Sequence, residues 1–251
     1  FGEATKTVSY LVDSRKSYRF SIRWGAETTT DDAEGEIARA SEARPTAAAI
    51  MAALPAFIGE ISQTPPRFSA VKVAGERAYD LARDGETFEL AARTIVVHRL
   101  EVVDQPAADL TVLEADCGKG TYVRALARDL GRRLECLGHV AALRRTTVGP
   151  FTETQAISLE MLRQTGHSAV DRSALTDLLR PVEAALDDIP ALSVREPDAL
   201  RLRQGQPVLL RGAGAPIQTG PAYAMSRGTL VAVGEIRHGE FRPIRVFNFS
   251  A

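Results

Sequence analysis

CGKGTYVRALARDLG, residues 117–131, joins a predicted strand to a predicted helix. Two glycines flank Lys119, and from Val123 onward apolar residues recur at helical spacing, so a tight turn opens a helix with Thr121 as the expected N-cap. Arg124 stands in the first turn, where the helix already carries partial positive charge, and a cation there is unfavourable by roughly a few tenths of a kcal/mol. We therefore expect a negative group beside Arg124, either an internal carboxylate or a ligand phosphate.

Basic residues are concentrated in and after this helix, although the whole chain is nearly neutral. The chain has 251 residues and a net charge of −1, which by itself argues against a strong nucleic-acid binder. Between residues 119 and 145, however, seven basic residues face only Asp129 and Glu135; they are Lys119, Arg124, Arg128, Arg132, Arg133, Arg144 and Arg145. They form either a solvated helix face or a surface that follows nucleic-acid phosphates.

The sequence lacks several common catalytic and metal-binding motifs. It has no G-x-x-x-x-G-K-[ST] phosphate loop and no G-x-S-x-G nucleophile elbow, and GKGTYV lacks the third glycine of a dinucleotide fingerprint. Cys117 and Cys136 form no disulfide or metal framework, and no histidine stands at ligand spacing from a cysteine. No apolar run approaches the roughly 20 residues that span a bilayer. We predict no metal, no cofactor and no membrane partner.

Hydrophobic periodicity predicts a mixed α/β (α+β) fold with a largely antiparallel sheet flanked by helices, because strands and helices do not alternate regularly. Strands are predicted over residues 17–25, 68–73, 92–105 and 108–118. Helices are predicted over residues 1–11, 46–58 (capped by Thr46), 76–85, 122–135, 156–166 and 171–185. Residues 139–151 are predicted as a loop followed by a strand. Short strands with glycine turns over 192–210 and 229–247, on either side of a Gly/Pro-rich stretch over 212–221, predict a small β-rich C-terminal domain.

Tyr18, Tyr122 and Arg124 are the residue types that hold an everted nucleobase. RNA-binding proteins stack unpaired bases on aromatic rings, and an enzyme that acts on a base first takes it out of its stack. Each tyrosine taken alone is more typical of a residue that packs in the core or in a hairpin.

Several stretches occur in an order that resembles a known family. They are DSRKSYRF (13–20), GAETTTDDAEG (25–35), QTPPRFSAVKVAGERAYDLARDG (63–85), KGTYVRALARDLG (119–131) and GHVAALRR (138–145). Together they resemble the TruB-type tRNA pseudouridine synthases of bacteria, and the tail LVAVGEIRHGEFRPIRVFN (230–248) resembles the PUA-like domain that ends many of them. The resemblance implies the pseudouridine synthase fold, with a catalytic domain over 1–186 and a PUA-like RNA-binding domain over 187–251.

The same resemblance implies an activity and assigns residues to it. The family isomerises uridine-55 in the T-loop of tRNA by flipping the base, breaking the glycosidic bond and rejoining the base through carbon. A nucleophilic aspartate attacks the ribose or the base, or deprotonates the sugar. Tyr122 resembles the tyrosine that moves a proton, and Arg124 the arginine that pairs with the aspartate. The substrate-binding residues are Tyr18 (stacking on uracil), Asp32 (polar network), Leu143 (pocket lining), Lys119, Arg144 and Arg145. We expect a cytoplasmic monomer that acts on the tRNA T-stem-loop without a protein partner.

Two features depart from the family pattern. The segment with the nucleophilic aspartate, a G-x-L-D-P-x-A-T-G-like motif, is expected before the position of Phe1, as is an earlier K-P-x-G-like motif. A loop that often reads T-D-T has Thr29 at its centre here, so one of its usual contacts is expected to be lost. Two alternatives stay open: a catalytically silent tRNA-binding or tRNA-folding module on the same scaffold, and a PUA-containing RNA chaperone or ribosome factor, which leaves the tyrosine–arginine pocket unexplained.

Overall fold

The computed structural model describes residues 2–167, 173–210 and 219–249. The chain divides into two compact units, one formed by Arg15–Val148 and the other by Phe1–Ser14 together with Gly149–Ala251. The predicted domain division between residues 186 and 187 stays a prediction, since contacts divide the chain at other positions. Within the described ranges, no helix is both long enough and apolar enough to cross a membrane.

Strands and helices of the described ranges are numbered in chain order. The strands are β1 (Lys16–Trp24), β2 (Ala26–Thr28), β3 (Ile37–Ala40), β4 (Gly59–Gln63), β5 (Lys72–Val73), β6 (Glu76–Arg77), β7 (Arg93–Ala107), β8 (Leu110–Cys117), β9 (Gly138–Val148), β10 (Phe151–Thr152), β11 (Ala191–Ser193), β12 (Val208–Leu209), β13 (Gly220–Ser226), β14 (Thr229–Arg237) and β15 (Glu240–Val246). The α-helices are α1 (Val8–Asp13), α2 (Ala47–Ala53), α3 (Ala78–Arg83), α4 (Val123–Arg133), α5 (Leu159–His167), α6 (Ser173–Thr176) and α7 (Glu196–Arg203). Short 3-10 helices cover Gly2–Thr7, Leu54–Phe57, Glu153–Gln155 and Val182–Leu186.

The unit 15–148 is built on an antiparallel sheet. Its strands lie in the order β9–β1–β8–β7–β4. All neighbouring strands in this order are antiparallel. β1 lies between β8 and β9, so Tyr18 stands opposite Ala115 on one side and Arg145 on the other. The predicted antiparallel sheet, with its adjacent strands over 92–105 and 108–118, is confirmed.

Alternation along β1 decides which side chains enter the core of this unit. Phe20, Ile22 and Trp24 are buried, and Leu126 of α4 belongs to the same apolar cluster. The indole N–H of Trp24 donates to the Thr111 hydroxyl at 2.9 Å, which satisfies the one polar atom of that ring inside the core. Burial of each such side chain contributes about 1.5–3 kcal/mol, so the contact between sheet and helix stabilises the unit.

Helix starts follow local capping rules at α2 and depart from them at α4. Thr46 caps α2 as predicted, because its hydroxyl accepts a hydrogen bond from the Ala49 N–H at 3.1 Å. At α4 the predicted cap is wrong: Tyr122 is the N-cap residue. The Thr121 hydroxyl instead donates to the Gly118 carbonyl oxygen at 3.2 Å, so it closes the preceding turn.

Several segment predictions differ from the structure. The loop predicted at the start of 139–151 is strand, since β9 already begins at Gly138, and the strand predicted over 68–73 is reduced to β5. The helix predicted over 171–185 is broken into α6 and a 3-10 helix that starts after Pro181, because proline cannot continue a helix. Residues 168–172 and 211–218, and hence most of the Gly/Pro-rich stretch, lie outside the described residues.

The second unit has a sheet of its own. Its strands lie in the order β11–β13–β14–β15–β12, parallel between β11 and β13 and antiparallel elsewhere. Phe241 and Leu202 are buried in one apolar cluster, and Phe247 and Leu186 in another. The β-rich prediction is confirmed for β13–β15. Of the strands predicted over 192–210, β11 and β12 are present at the two ends, whereas the middle forms α7, which has a proline in its first turn.

Candidate active site

The turn between β8 and α4 positions the first residues of the candidate site. Gly120 has a φ of +78°, a conformation that glycine adopts without steric cost, and the chain there leaves the sheet and enters the helix. Tyr122 follows as N-cap, but its side chain makes no capping hydrogen bond. Gln63 holds the Tyr122 backbone instead: its side-chain oxygen accepts from the Tyr122 N–H at 2.9 Å, and its side-chain nitrogen donates to the Tyr122 carbonyl oxygen at 3.2 Å.

Gln63 is a residue that sequence reasoning missed. It is the last residue of β4 and only 2% exposed, and its amide oxygen supplies a partner for the Tyr122 N–H at the start of α4. The sequence separation is 59 residues, and the only available signal was its place at the start of the QTPPRF motif. The tyrosine predicted to move a proton is therefore fixed through its main chain.

Three arginines of α4 share one face of the helix, since they recur every four residues. Each pairs with a different carboxylate of the segment 27–32. The contacts are Arg124 Nη1 to Asp32 Oδ2 (3.1 Å), Arg128 Nη1 to Asp31 Oδ2 (3.0 Å) and Arg132 Nε to Glu27 Oε1 (2.6 Å). We call the three arginines, Arg124, Arg128 and Arg132, the α4 arginine row. It fastens the loop that follows β2 to the helix.

Arg124 has the negative neighbour that its place in the first helical turn requires, and that neighbour is Asp32. Its Nη1 also donates to the Thr30 carbonyl oxygen (3.2 Å) and its Nη2 to the Phe68 carbonyl oxygen (2.8 Å). The second oxygen of Asp32 accepts from the Thr30 hydroxyl (2.5 Å) and the Glu34 N–H (3.1 Å). Asp32, a predicted member of the polar network, thus supplies an internal carboxylate for Arg124. The pairing of Arg124 with the nucleophilic aspartate stays a prediction.

Asp31 and Glu27 respond differently to their arginines. Burial raises the pKa of the Asp31 carboxyl, although the Arg128 guanidinium acts in the opposite direction. At Glu27 the hydrogen bonds from Arg132 prevail over burial and lower its pKa. Arg128 is buried, so it belongs neither to a solvated helix face nor to a surface that follows phosphates, the two alternatives for the basic residues.

Tyr18, Leu143 and Arg145 lie on neighbouring strands of the sheet. Tyr18 of β1 stands opposite Arg145 of β9. Leu143 lies two residues before Arg145 on β9, opposite Phe20. Tyr18 packs against the core cluster, and burial raises the pKa of its phenol, while the charge and hydrogen bond of Arg145 act in the opposite direction. Leu143 is 49% exposed. An exposed leucine close to a half-buried tyrosine gives an apolar surface on which a ligand ring can lie.

The remaining predicted substrate-binding cations are exposed. Lys119 lies in the turn before α4, and Arg144 lies on β9 opposite Arg19 of β1. Together with Arg145 they place positive charge on the turn and on the strand that border Tyr18 and Tyr122.

A cavity of about 700 Å³ lies beside the loop that the α4 arginine row fastens. Its lining includes Thr28, Thr29 and Arg128 and the aromatic side chains Phe68 and Phe88. At the departure from the family pattern, the Thr29 N–H donates to the Glu36 carbonyl oxygen at 2.9 Å, which joins the two ends of the loop. Within the described ranges, no group of three or more histidine, cysteine or acidic side chains is placed to hold a metal ion.

Two protein-family models match adjacent parts of the chain. Residues 1–123 match the model described as TruB family pseudouridylate synthase (N terminal domain). Residues 124–187 match the model described as tRNA pseudouridylate synthase B C-terminal domain. The boundary between the two matches falls inside the first turn of α4, between Val123 and Arg124.

Curated proteins of one name are similar over nearly the whole chain. The protein named tRNA pseudouridine synthase B from Bradyrhizobium diazoefficiens is 56% identical over 250 residues, which cover 99% of this chain and 72% of that protein. The protein of the same name from Caulobacter vibrioides is 53% identical over 256 residues, which cover 99% of this chain and 81% of that protein.

Solved structures share the fold at low sequence identity. A Cbf5–Nop10–Gar1 complex contains a chain that matches with a TM-score of 0.72 and 21% identity, over 98% of this chain and 69% of that one. An H/ACA RNP bound to a substrate RNA containing 2'-deoxyuridine matches with a TM-score of 0.69 and 20% identity, over 93% and 62%. The predicted mixed α/β fold class is confirmed.

Proposed function

The chain belongs to the TruB family of pseudouridylate synthases, and on that premise we propose that it converts uridine-55 in the T-loop of tRNA to pseudouridine. The reaction breaks the bond between the ribose and N1 of uracil and joins the same ribose carbon to C5. C5 loses a proton and N1 gains one, so no atom is added overall and no net oxidation occurs. The reaction therefore calls for positioned acids and bases and needs no redox cofactor.

The observation that carries the proposal is the fixed guanidinium of Arg124, a residue of the first turn of α4, two residues after Tyr122. Asp32 and two carbonyl oxygens hold it, and they use only part of its N–H groups within the described part of the chain. A second carboxylate can therefore bind at the same guanidinium. We assign that place to the nucleophilic aspartate expected from the family, since a hydrogen-bonded cation keeps a carboxylate ionised and oriented.

Tyr18 and Leu143 support binding of an everted uracil. Stacking of a base on an aromatic ring contributes about 1–3 kcal/mol, and the Tyr18 ring is half-buried against the core, which fixes its plane. Leu143 is exposed beside it and covers the base from the neighbouring strand. Tyr122, held by Gln63, is the group assigned to proton movement.

Lys119, Arg144 and Arg145 are assigned to the tRNA backbone. All three are exposed, and cations that neutralise phosphates give an affinity that falls as salt concentration rises. We further propose that the chain acts on tRNA in the cytoplasm as a monomer and without a protein partner. In this it would differ from the similar Cbf5 chain, which is in a complex with Nop10 and Gar1.

The test is a direct modification assay. The full natural chain is incubated with an unmodified tRNA transcript, and carbodiimide-reactive pseudouridine is mapped by reverse transcription. We expect modification at uridine-55, and none in a matched transcript with cytidine at that position. A chain that binds the transcript and leaves every uridine unchanged would contradict the proposal and support the catalytically silent tRNA-binding module.

A further inference from the structure

The ion pair between Arg128 and Asp31 is the most enclosed contact of the α4 arginine row. Their side chains are 9% and 12% exposed, against 24% and 22% for Arg124 and Asp32. Two charges this far from water are retained only when geometry and further hydrogen bonds compensate their loss of hydration. Arg128 makes those further bonds, through Nε to Asp129 (2.8 Å) and through Nη2 to the Thr64 carbonyl oxygen (2.7 Å). The reaction as assigned above uses neither member of the pair.

The backbone of Asp31 is constrained as tightly as its side chain. Its φ is +63°, in the left-handed region that residues other than glycine occupy at some cost. Its N–H donates to the Thr28 carbonyl oxygen (3.3 Å), and its own carbonyl oxygen accepts from the Val140 N–H of β9 (3.1 Å). Asp31 directly precedes Asp32, so a fixed backbone at Asp31 sets the direction in which the Asp32 carboxylate leaves the loop.

Arg124 and Arg128 join the same two segments, one helical turn apart. Arg124 connects Asp32 to the Phe68 carbonyl oxygen, and Arg128 connects Asp31 to the Thr64 carbonyl oxygen. The outer of these connections carries the guanidinium assigned to catalysis, and the inner one is buried. The inner connection therefore holds both segments in the place where the outer one meets them.

We propose that Asp31 is a positioning residue: through its ion pair with Arg128 it holds the loop so that Asp32 orients Arg124. This inference rests on the proposed function, which assigns Arg124 to the reaction. Asp31 contacts no reacting group and acts through Asp32 and Arg124.

A double-mutant cycle tests the proposal in the full natural chain. Asp31→Asn keeps the side-chain shape and tolerates the left-handed backbone but removes the charge. We expect the single-turnover rate at saturating tRNA to fall at least about tenfold, while the Kd for tRNA changes less than about threefold. In an Arg124→Lys background the same substitution is expected to lower the rate less than about threefold, because the oriented guanidinium is already gone.

Glu27→Gln is the matched control, since Glu27 is the other buried carboxylate that the α4 arginine row binds in this segment. We expect it to change the rate less than about threefold in both backgrounds. An equal loss from Asp31→Asn in both backgrounds, or an equal loss from Glu27→Gln, overturns the proposal in favour of a general structural role. If Asp31→Asn does not fold, Arg128→Lys takes its place in the cycle, because it keeps the charge and cannot reach Asp31 and Thr64 together.

A crystal structure of the Asp31→Asn variant separates this inference from the proposed function. We expect the contact between Arg124 and Asp32 to be lost; an unchanged contact contradicts the inference even if the wild-type chain makes pseudouridine. A wild-type chain that makes no pseudouridine refutes the proposed function, and the same crystal structure then decides whether Asp31 orients Arg124.

Discussion

Arg124 and Asp32 are 92 residues apart in the chain, and their side chains meet at 3.1 Å. The pair compensates a cation in the first turn of a helix, where the helix dipole disfavours positive charge. It also fixes the plane of the Arg124 guanidinium, together with the Thr30 and Phe68 carbonyl oxygens, and directs its remaining N–H groups. Removal of the Arg124 side chain should therefore affect the rate of the reaction far more than the stability of the fold.

Arg124→Ala in the full natural chain is expected to lower the rate of pseudouridine formation about 10²–10³-fold, as loss of a preorganised charged donor commonly does. The free energy of unfolding should fall by only about 1 kcal/mol, because the pair is partly exposed. Initial rates on a tRNA transcript and urea denaturation measure the two effects. Arg133→Ala, an exposed arginine of the same helix, is the control. A rate within about tenfold of wild type would refute the assigned role.

Tyr18→Phe should leave tRNA affinity nearly unchanged, because the ring is kept and stacking needs no hydroxyl. Tyr18→Ala removes the ring and should weaken binding by about 1–3 kcal/mol. Filter binding at fixed salt gives both Kd values. If the phenylalanine variant binds as weakly as the alanine variant, the hydroxyl and its contact with Arg145 determine affinity, and stacking does not.

Gln63→Leu removes both hydrogen bonds to the Tyr122 main chain and leaves the half-buried Tyr122 N–H without its partner, while the Tyr122 carbonyl oxygen still accepts from the Leu126 N–H at 3.1 Å. We expect the free energy of unfolding to fall by about 1–3 kcal/mol for this loss, together with a lower rate, since Tyr122 is no longer held. The same substitution at the exposed Gln206 should change stability by less than about 0.5 kcal/mol. Chemical denaturation compares the two, and equal effects would contradict the bridging role of Gln63.

Both cysteines are buried, and burial raises the pKa of Cys117 to about 12 and that of Cys136 to about 11. At pH 8 the thiols are therefore neutral and inaccessible, and a disulfide reagent should label them only when the chain unfolds. Because folding raises the pKa of both thiols, the protonated thiols contribute to the free energy of unfolding. That contribution is complete below about pH 8.5, the pKa of an unfolded cysteine, and is lost as the pH rises through the folded pKa values. Labelling at the rate of a free thiol in native buffer would show that a thiol is exposed.

Local structure could be predicted where the determining residues are neighbours in sequence. Alternation of Phe20, Ile22 and Trp24 with polar residues predicted β1, and Thr46 before an alanine run predicted the start of α2. At α7 the local signals were also present, with acidic residues in the first turn, arginines in the last and Gly205 after the end. The surrounding residues are typical of short strands with glycine turns, so the pattern of 192–210 as a whole predicts strand where α7 forms.

The candidate site depends on contacts that no local pattern contains. Sequence periodicity placed Arg124 at the mouth of a helix and required a negative partner, but it gave no means of choosing Asp32 among the acidic residues of the chain. Likewise, Gln63 and the pair of Arg128 with Asp31 depend on how β4 and the loop after β2 pack on α4. Such choices are made by tertiary packing, because the partners are 59 to 97 residues apart.

The four-residue spacing of the α4 arginine row makes this helix intolerant of changes in its length. Insertion or deletion of a single residue between Arg124 and Arg128 would rotate the rest of α4 by about 100° around the helix axis relative to Arg124. Arg128 and Arg132 would then face away from Asp31 and Glu27, while Arg124 kept its partner. Natural variants of this chain should therefore accumulate substitutions along α4 and keep its residue count constant, with length changes confined to the connections outside it.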